Sequence, residues 1–361
     1  MTLFISNLAA RLTFAFVVLA AGAAALEVGV RSFGPVEHSI LFEPLAAHIR
    51  GTSAGKFLDL IVDDPVLFWR LAPDQRLPND AHPFKGVISN AQGLREDHLI
   101  PRRKPSDEIR ILFVGDSCTF GLGSVHTNDF VEMVEAALRE RYPGIPTECV
   151  NAGVPGYTIY QGWQWLLRDG FDYDPDLVLF AFGWNDAKPW VGLSDLKYFQ
   201  RMQASGPPPG LRWSRVARRI WRSLHPLELP DGKPEARVPP DEFRWILGEV
   251  DAACRKRGID FMPILWCYYD NLAMYEDPVN IRPIQNVMHD FARDRTFGPD
   301  KTTGSVDLVA AFQEAILTTQ RSHLYLDRGC HMRTSGNRVV ADAVLAKIEP
   351  WYRDRIRARP E

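Results

Sequence analysis

The sequence predicts an α/β protein: a three-layer α/β/α sandwich on a five-stranded parallel sheet, preceded by a hydrophobic N-terminal helix. Three observations lead there. Between residues 109 and 309, short apolar, β-branched runs alternate with amphipathic helical stretches, the pattern of parallel strands joined by helical crossovers. Small and turn-prone residues follow these runs directly, at strand carboxyl ends, where open α/β sheets bind their ligands. The chain also opens on a long uncharged run, residues 12–26 (LTFAFVVLAAGAAAL). At 361 residues, with 46% hydrophobic and 24% charged side chains, it has ample material for a core. A formal charge of −3 speaks against a general nucleic-acid binder.

Residues 1–30 read as a membrane anchor or a signal sequence. The uncharged stretch is short for a bilayer span, but hydrophobicity extends to Ile5 and Val30, and tilting or snorkelling by Arg11 accommodates it. Ala23-Ala24-Ala25 offers the rival, an A-x-A cleavage site. Arg11 before the span and Arg31 after it set no clear orientation. Residues 31–107 form a preamble of weak periodicity, expected to pack on the sheet, in which Arg95 reads as half of a structural ion pair.

Residues 108–361 carry the alternating pattern. Strands are expected at 109–114 (IRILFV), 148–150, 177–182, 259–265 and 305–309. Helices are expected at 129–141, 158–169, 241–257, 281–293, 309–319 and 338–353. An insertion at about 187–240 interrupts them, with prolines excluding regular structure at 206–210 and over much of 227–240. Between those stretches, residues 211–224 (LRWSRVARRIWRSL) place Trp213, Val216, Ile220 and Leu224 on one helical face, with arginines over the rest. That is either a cap helix packing its apolar side or a lid meeting anionic headgroups or an acidic polymer.

Four short blocks carry the chemistry. Gly115-Asp116-Ser117 follows the first strand, Asn151-Ala152-Gly153-Val154-Pro155-Gly156 the second, and Gly183-Trp184-Asn185-Asp186 the third. Asp327-Arg328-Gly329-Cys330-His331 precedes the last helix. A Gly-Asp-Ser tripeptide alone is an ordinary turn. At a strand-to-helix junction, a serine also meets backbone N–H groups that favour developing negative charge. An imidazole is suited to take a hydroxyl proton near neutral pH and return it. The ordered serine, glycine, asparagine and histidine resemble the SGNH (GDSL-like) hydrolase family, and in particular bacterial members with an N-terminal membrane anchor.

The resemblance implies the flavodoxin-like SGNH hydrolase fold and a serine hydrolase cleaving a carboxylic ester or thioester through an acyl-enzyme. It makes Ser117 the nucleophile and His331 the general base, with Ser117 N–H, Gly153 N–H and the Asn185 amide as oxyanion donors. The family's acid stands three residues before the histidine, where this chain has Arg328. Asp327, one position earlier, is expected to orient the imidazole across a bulge at Gly329; a backbone carbonyl or Asp307 are the alternatives. Asp116 is expected to brace the nucleophile turn, and Asp186 to cap the loop after Asn185. Cys118 and Cys330 read as packing residues, and the five cysteines form neither a zinc pattern nor a disulfide framework.

No cofactor and no metal are implied. The implied partners are an ester substrate, lipid or acylated carbohydrate, and a membrane through the N-terminal helix. The catalytic domain is expected to be periplasmic or extracellular, and secreted if the leader is cleaved. Attack by a sugar hydroxyl instead of water makes the same site a polysaccharide O-acyltransferase. The reading from another class is a non-catalytic carbohydrate- or lipid-binding module.

Overall fold

The structure, a computed structural model, describes residues 2–33, 60–78, 86, 88–189, 192–211, 213–225, 235–272, 282–297 and 304–358. Much of the preamble (34–59) and parts of the insertion (190–191, 212, 226–234) lie outside the described residues. The strands are β1 (Ile61–Asp64), β2 (Phe68–Leu71), β3 (Ile109–Gly115), β4 (Thr147–Gly153), β5 (Leu177–Ala181), β6 (Asp260–Leu265) and β7 (Val306–Asp307). The first helices are α1 (Thr2–Phe33), α2 (Ser117–Phe120), α3 (Phe130–Arg141), α4 (Ile159–Arg168), α5 (Trp184–Ala187) and α6 (Asp195–Ser205). They are followed by α7 (Arg215–Leu224), α8 (Pro240–Arg255), α9 (Arg282–Phe297), α10 (Leu308–Ala315), α11 (Arg321–Leu324) and α12 (Thr334–Arg357).

Two compact units emerge: residues 1–37 with 196–231, and residues 38–195 with 232–361. In the first, α1 is long and apolar enough to cross a membrane, its span Ala10–Phe33 having a mean hydropathy of 2.0. At 1.5 Å rise per residue this helix is about 48 Å long. Glu27, buried on this exposed helix, caps α7: its carboxylate accepts from Arg215 N (2.8 Å), Val216 N (3.1 Å) and Ser214 Oγ (2.8 Å). Arg31 donates to Glu27 and to the Trp213 carbonyl. The helix expected at 211–224 thus begins only after Ser214. It is held by its N-terminus, and Trp213, Ile220 and Leu224 are exposed.

In the second unit the parallel sheet runs β4-β3-β5-β6-β7. The order reverses at β3, so the carboxyl ends of β3 and β5 flank the topological switch point. Every residue of β3 is buried, as expected for a strand covered on both faces. Local chemistry sets the helix starts. Asp129 accepts from Val131 N and Glu132 N ahead of α3, a Thr158–Gln161 capping box opens α4, and Pro240 is the first residue of α8. Arg95 pairs with Asp129 at 3.0 Å, both side chains fully buried, which is the structural ion pair expected of it.

Three elements differ from expectation. β4 runs three residues beyond 150, because Thr147–Gly153 pairs in full register with Ile109–Gly115. The last strand shrinks to two residues, because the Asp307 carboxylate caps α10 at Val309 N (2.9 Å) and the helix begins at once. The preamble contributes an antiparallel hairpin, β1 with β2, absent from the expected strands. It packs on α4, with Phe68 stacked on Tyr160 at 5.8 Å and Gln161 Nε2 donating to the Leu67 carbonyl.

Candidate active site

β3 delivers the serine. A side chain at Gly115 would meet Thr119 Oγ1 at 2.0 Å and the Ala181 carbonyl at 2.8 Å, so only glycine allows the tight turn there. Asp116 Oδ1 then accepts from Cys118 N (2.8 Å) and caps α2, the bracing role expected of it. Ser117 becomes the first residue of α2, nearly buried, at a position where helix geometry leaves the backbone N–H without an intrahelical partner.

The late block folds back toward it. Leu326 N donates to the His331 carbonyl (2.9 Å) and Tyr325 bridges Met332, closing a turn over residues 327–331. Within the turn, Asp327 Oδ1 accepts from Gly329 N (2.8 Å) and His331 N (3.4 Å), while Oδ2 contacts His331 Nδ1. His331 Nε2 lies 2.8 Å from Ser117 Oγ. The turn is anchored from outside: Cys118 Sγ and Trp266 Nε1 both donate to the Cys330 carbonyl, and Tyr269 N to that of Gly329. Asp327, one position before Arg328, thus uses one oxygen on the turn's own amides and the other on the ring. Asp307, the alternative acid, is occupied at the cap of α10.

Asn185 sits one residue into α5, buried, with Nδ2 donating to Asp116 Oδ2 and to the Tyr157 carbonyl, each at 3.1 Å. The asparagine block is thereby tied to the nucleophile turn and to the loop after β4. Asp186 caps α4 at Ile159 N (2.8 Å), and not its own loop. Gly153 differs from expectation. It is the last residue of β4, its N–H donates to Asn151 Oδ1 (3.0 Å), and a Cβ there would meet Phe120 N at 2.2 Å. It permits close packing of α2 on β4 and keeps its N–H satisfied inside the sheet. Gly156, three residues on, is the glycine of the loop proper, with φ of +80°. Among the described residues its N–H makes no hydrogen bond.

Residues 113–280 match the family model described as GDSL-like Lipase/Acylhydrolase. The match spans a little under half of the chain, and over that segment the chain resembles the GDSL-like acylhydrolases. The enzyme is of the GDSL-like (SGNH) esterase/acylhydrolase type, and the matched segment holds Ser117, Gly153, Gly156 and Asn185; Asp327 and His331 lie beyond it and reach Ser117 through the contacts above. Among solved structures the SGNH chain is similar to LAE5, an alpha/beta hydrolase enzyme from the metagenome of Lake Arreo, Spain, with a TM-score of 0.46. It is also similar to Axe2, an acetylxylan esterase from Geobacillus stearothermophilus, with a TM-score of 0.45. Each is 20% identical over 66% of this chain and 94% of its own. No curated protein matches the sequence.

The electrostatics of this SGNH site are uneven. Burial opposes charge on His331, yet the Cys330 sulfur and the hydrogen bond to Asp327 hold its pKa well above the ordinary histidine range. Burial likewise disfavours the Asp327 carboxylate, but the hydrogen bond with His331 brings it below the usual aspartate value. Burial pushes Asp116 up to about 7 and Asp186 up to about 8. Among the described residues, two groups bring carboxylate and imidazole ligand atoms within 4.8 Å of one another: Glu96, His98 and Glu148, and Glu96, His126 and Glu132. Neither includes a residue of the serine–histidine relay.

Proposed function

We propose that the enzyme cleaves a carboxylic ester or thioester through an acyl-enzyme on Ser117. His331 takes the Oγ proton during attack and returns it to the leaving group, and Asp327 fixes the imidazole with its free electron pair toward serine. The reading is carried by one observation, the relay from Asp327 through His331 Nδ1 and Nε2 to Ser117 Oγ at 2.8 Å. A binding module has no need of such a relay.

For the oxyanion we assign Ser117 N–H, Gly156 N–H and the Asn185 amide. Gly156 replaces Gly153 because its N–H is unengaged and its loop is hydrogen-bonded to Asn185 through Tyr157. Asn185 acts by exchanging one of its two 3.1 Å bonds for the developing oxyanion. In the second half-reaction His331 deprotonates the acceptor. Water gives an esterase or lipase, and a sugar hydroxyl gives an O-acyltransferase with the same residues.

In the same proposal residues 1–30 anchor the chain, 31–107 brace the core, and 108–361 form the hydrolase domain with its insertion at about 187–240. The N-terminal apolar helix is a signal sequence or an anchor by composition. The anchor is favoured because hydrophobicity extends outward from residues 12–26 to Ile5 and Val30, beyond the short apolar core of a cleaved leader. An intact mass of 40.9 kDa for membrane-extracted protein is the expected result. The catalytic proposal is tested by hydrolysis of p-nitrophenyl esters of increasing chain length by the full chain in detergent, beside Ser117→Ala. Turnover that survives the substitution overturns it.

A further inference from the structure

The loop that carries Gly156 is gripped in an unusual way. Its three successive carbonyls each accept a bond from a different part of the chain. Pro155 O accepts from Trp69 Nε1 (3.0 Å), Gly156 O from Arg237 Nη1 (2.7 Å), and Tyr157 O from Asn185 Nδ2 (3.1 Å). Asn185 belongs to the SGNH set. Trp69 comes from β2 in the preamble and Arg237 from the end of the insertion, two segments outside the alternating pattern of the sheet.

Both donors are themselves fixed. Trp69 is buried, and its own carbonyl accepts from Tyr157 Oη (2.7 Å), so hairpin and loop clasp each other in both directions. Arg237 is buried, donating to Asp195 Oδ2 (2.7 Å) and Gln161 Oε1 (2.8 Å), with its guanidinium 5.4 Å from the centre of the Trp69 ring. Asp195 in turn accepts from Thr158 Oγ1 (2.7 Å), next to the loop.

The geometry of the peptide bond gives this a chemical meaning. In a trans peptide, C=O and N–H point in opposite directions from one rigid plane. The plane carrying Gly156 N–H is the Pro155–Gly156 plane, and its carbonyl is the one Trp69 holds. A glycine at φ +80° lacks the steric bias that would otherwise fix the orientation of its flanking planes. We infer that Trp69 and Arg237 are positioning residues for the oxyanion hole: they hold the 155–157 loop so that Gly156 N–H is aimed before substrate arrives. Donation into the Pro155 carbonyl also polarises the N–H at the other end of the plane. The inference rests on the acyl-transfer reading and gives the preamble and the insertion a part in catalysis through Gly156.

The test uses the full chain in detergent, with Trp69→Phe removing one N–H donor while keeping an aromatic ring. Arg237→Lys keeps the charge but cannot span Gly156, Gln161 and Asp195 together, and serves if Trp69→Phe yields no folded protein. A misaimed donor is felt where the oxygen is tetrahedral and charged. The expected result is a kcat lowered about tenfold for Trp69→Phe, a tenth to a hundredth of the loss from deleting an oxyanion donor outright. KM should stay within about twofold, and affinity for phenylboronic acid, whose Ser117 adduct places an oxygen in the hole, should fall in parallel with kcat. A merely structural role would lower the melting temperature and leave both ratios unchanged. Full kcat and boronate affinity in folded variants, beside a Ser117-dependent parent, overturn the inference and spare the acyl-transfer reading. A parent with neither Ser117-dependent turnover nor boronate binding overturns both.

Discussion

Replacing Asp327 by asparagine should harm catalysis more than replacing it by alanine, and the structure says why. Asp327 Oδ1 is committed to Gly329 N and His331 N, both donors, so an asparagine oxygen takes that side. Its NH2 group is then forced onto His331 Nδ1, where the aspartate oxygen sits. A donor at Nδ1 leaves the ring proton on Nε2, facing Ser117 Oγ, and the imidazole cannot accept the serine proton. Alanine removes the carboxylate but imposes no tautomer.

The magnitudes follow. A hydrogen bond to a charged group contributes about 1.5–3 kcal/mol, and the Asp327 side chain is 44% exposed, so solvent screening puts the loss near the lower end. At about 1.4 kcal/mol per tenfold change, Asp327→Ala should lose roughly 10- to 30-fold in kcat. Asp327→Asn adds the wrong tautomer, for which about 10⁴-fold is the scale in a triad with a buried acid. The partly exposed acid here points to about 10³-fold. Steady-state kinetics on a p-nitrophenyl ester, at matched melting temperatures, measure both. Equal losses, or a milder asparagine variant, would refute the relay as the source of Asp327's effect.

Other outcomes follow from the same geometry. Ser117→Ala should abolish turnover while leaving the melting temperature within a few degrees, since it deletes one oxygen beside His331. Asn185→Ala should lower kcat by about 10²–10³-fold, checked against a parallel loss of boronate affinity. His331 must be neutral to act as base and its pKa is raised, so kcat/KM should rise with pH through a value above the ordinary histidine range of about 6.5. Asp327→Ala should move that limb toward lower pH, because the carboxylate stabilises the imidazolium. Gly153→Ala should cost about 3 kcal/mol or prevent folding, read by denaturant titration, since its Cβ would strike the Phe120 backbone.

Much of this architecture was legible in the residues. The strands at 109–114, 177–182 and 259–265 and the helices between them appear within a few residues of expectation, because long periodic runs leave few alternatives. Ser117, Asn185, Asp327 and His331 come together although 214 positions separate the serine from the histidine. The proposal exchanges Gly153 for Gly156 for a local reason. Stopping the second strand at 150 put Gly153 in the turn, whereas pairing with β3 carries the strand through it. The second glycine of the Asn-Ala-Gly-Val-Pro-Gly run was the available signal. Trp69 and Arg237 carried no such signal: a tryptophan in an aperiodic preamble and an arginine in a proline-rich insertion acquire meaning only from the carbonyls they reach in three dimensions.

The cap that Glu27 places on α7 bears on how the protein can be handled. Shortening the chain to begin at residue 32 looks harmless on a hydropathy plot, since only the greasy leader is lost. That cut also deletes the acceptor on which Ser214, Arg215 and Val216 depend, and it strands an arginine-rich helix whose apolar residues already face outward. The leader and the insertion therefore behave as one genetic cassette: remove the leader, and residues 196–231 should go with it or be redesigned, or the trimmed enzyme will clump.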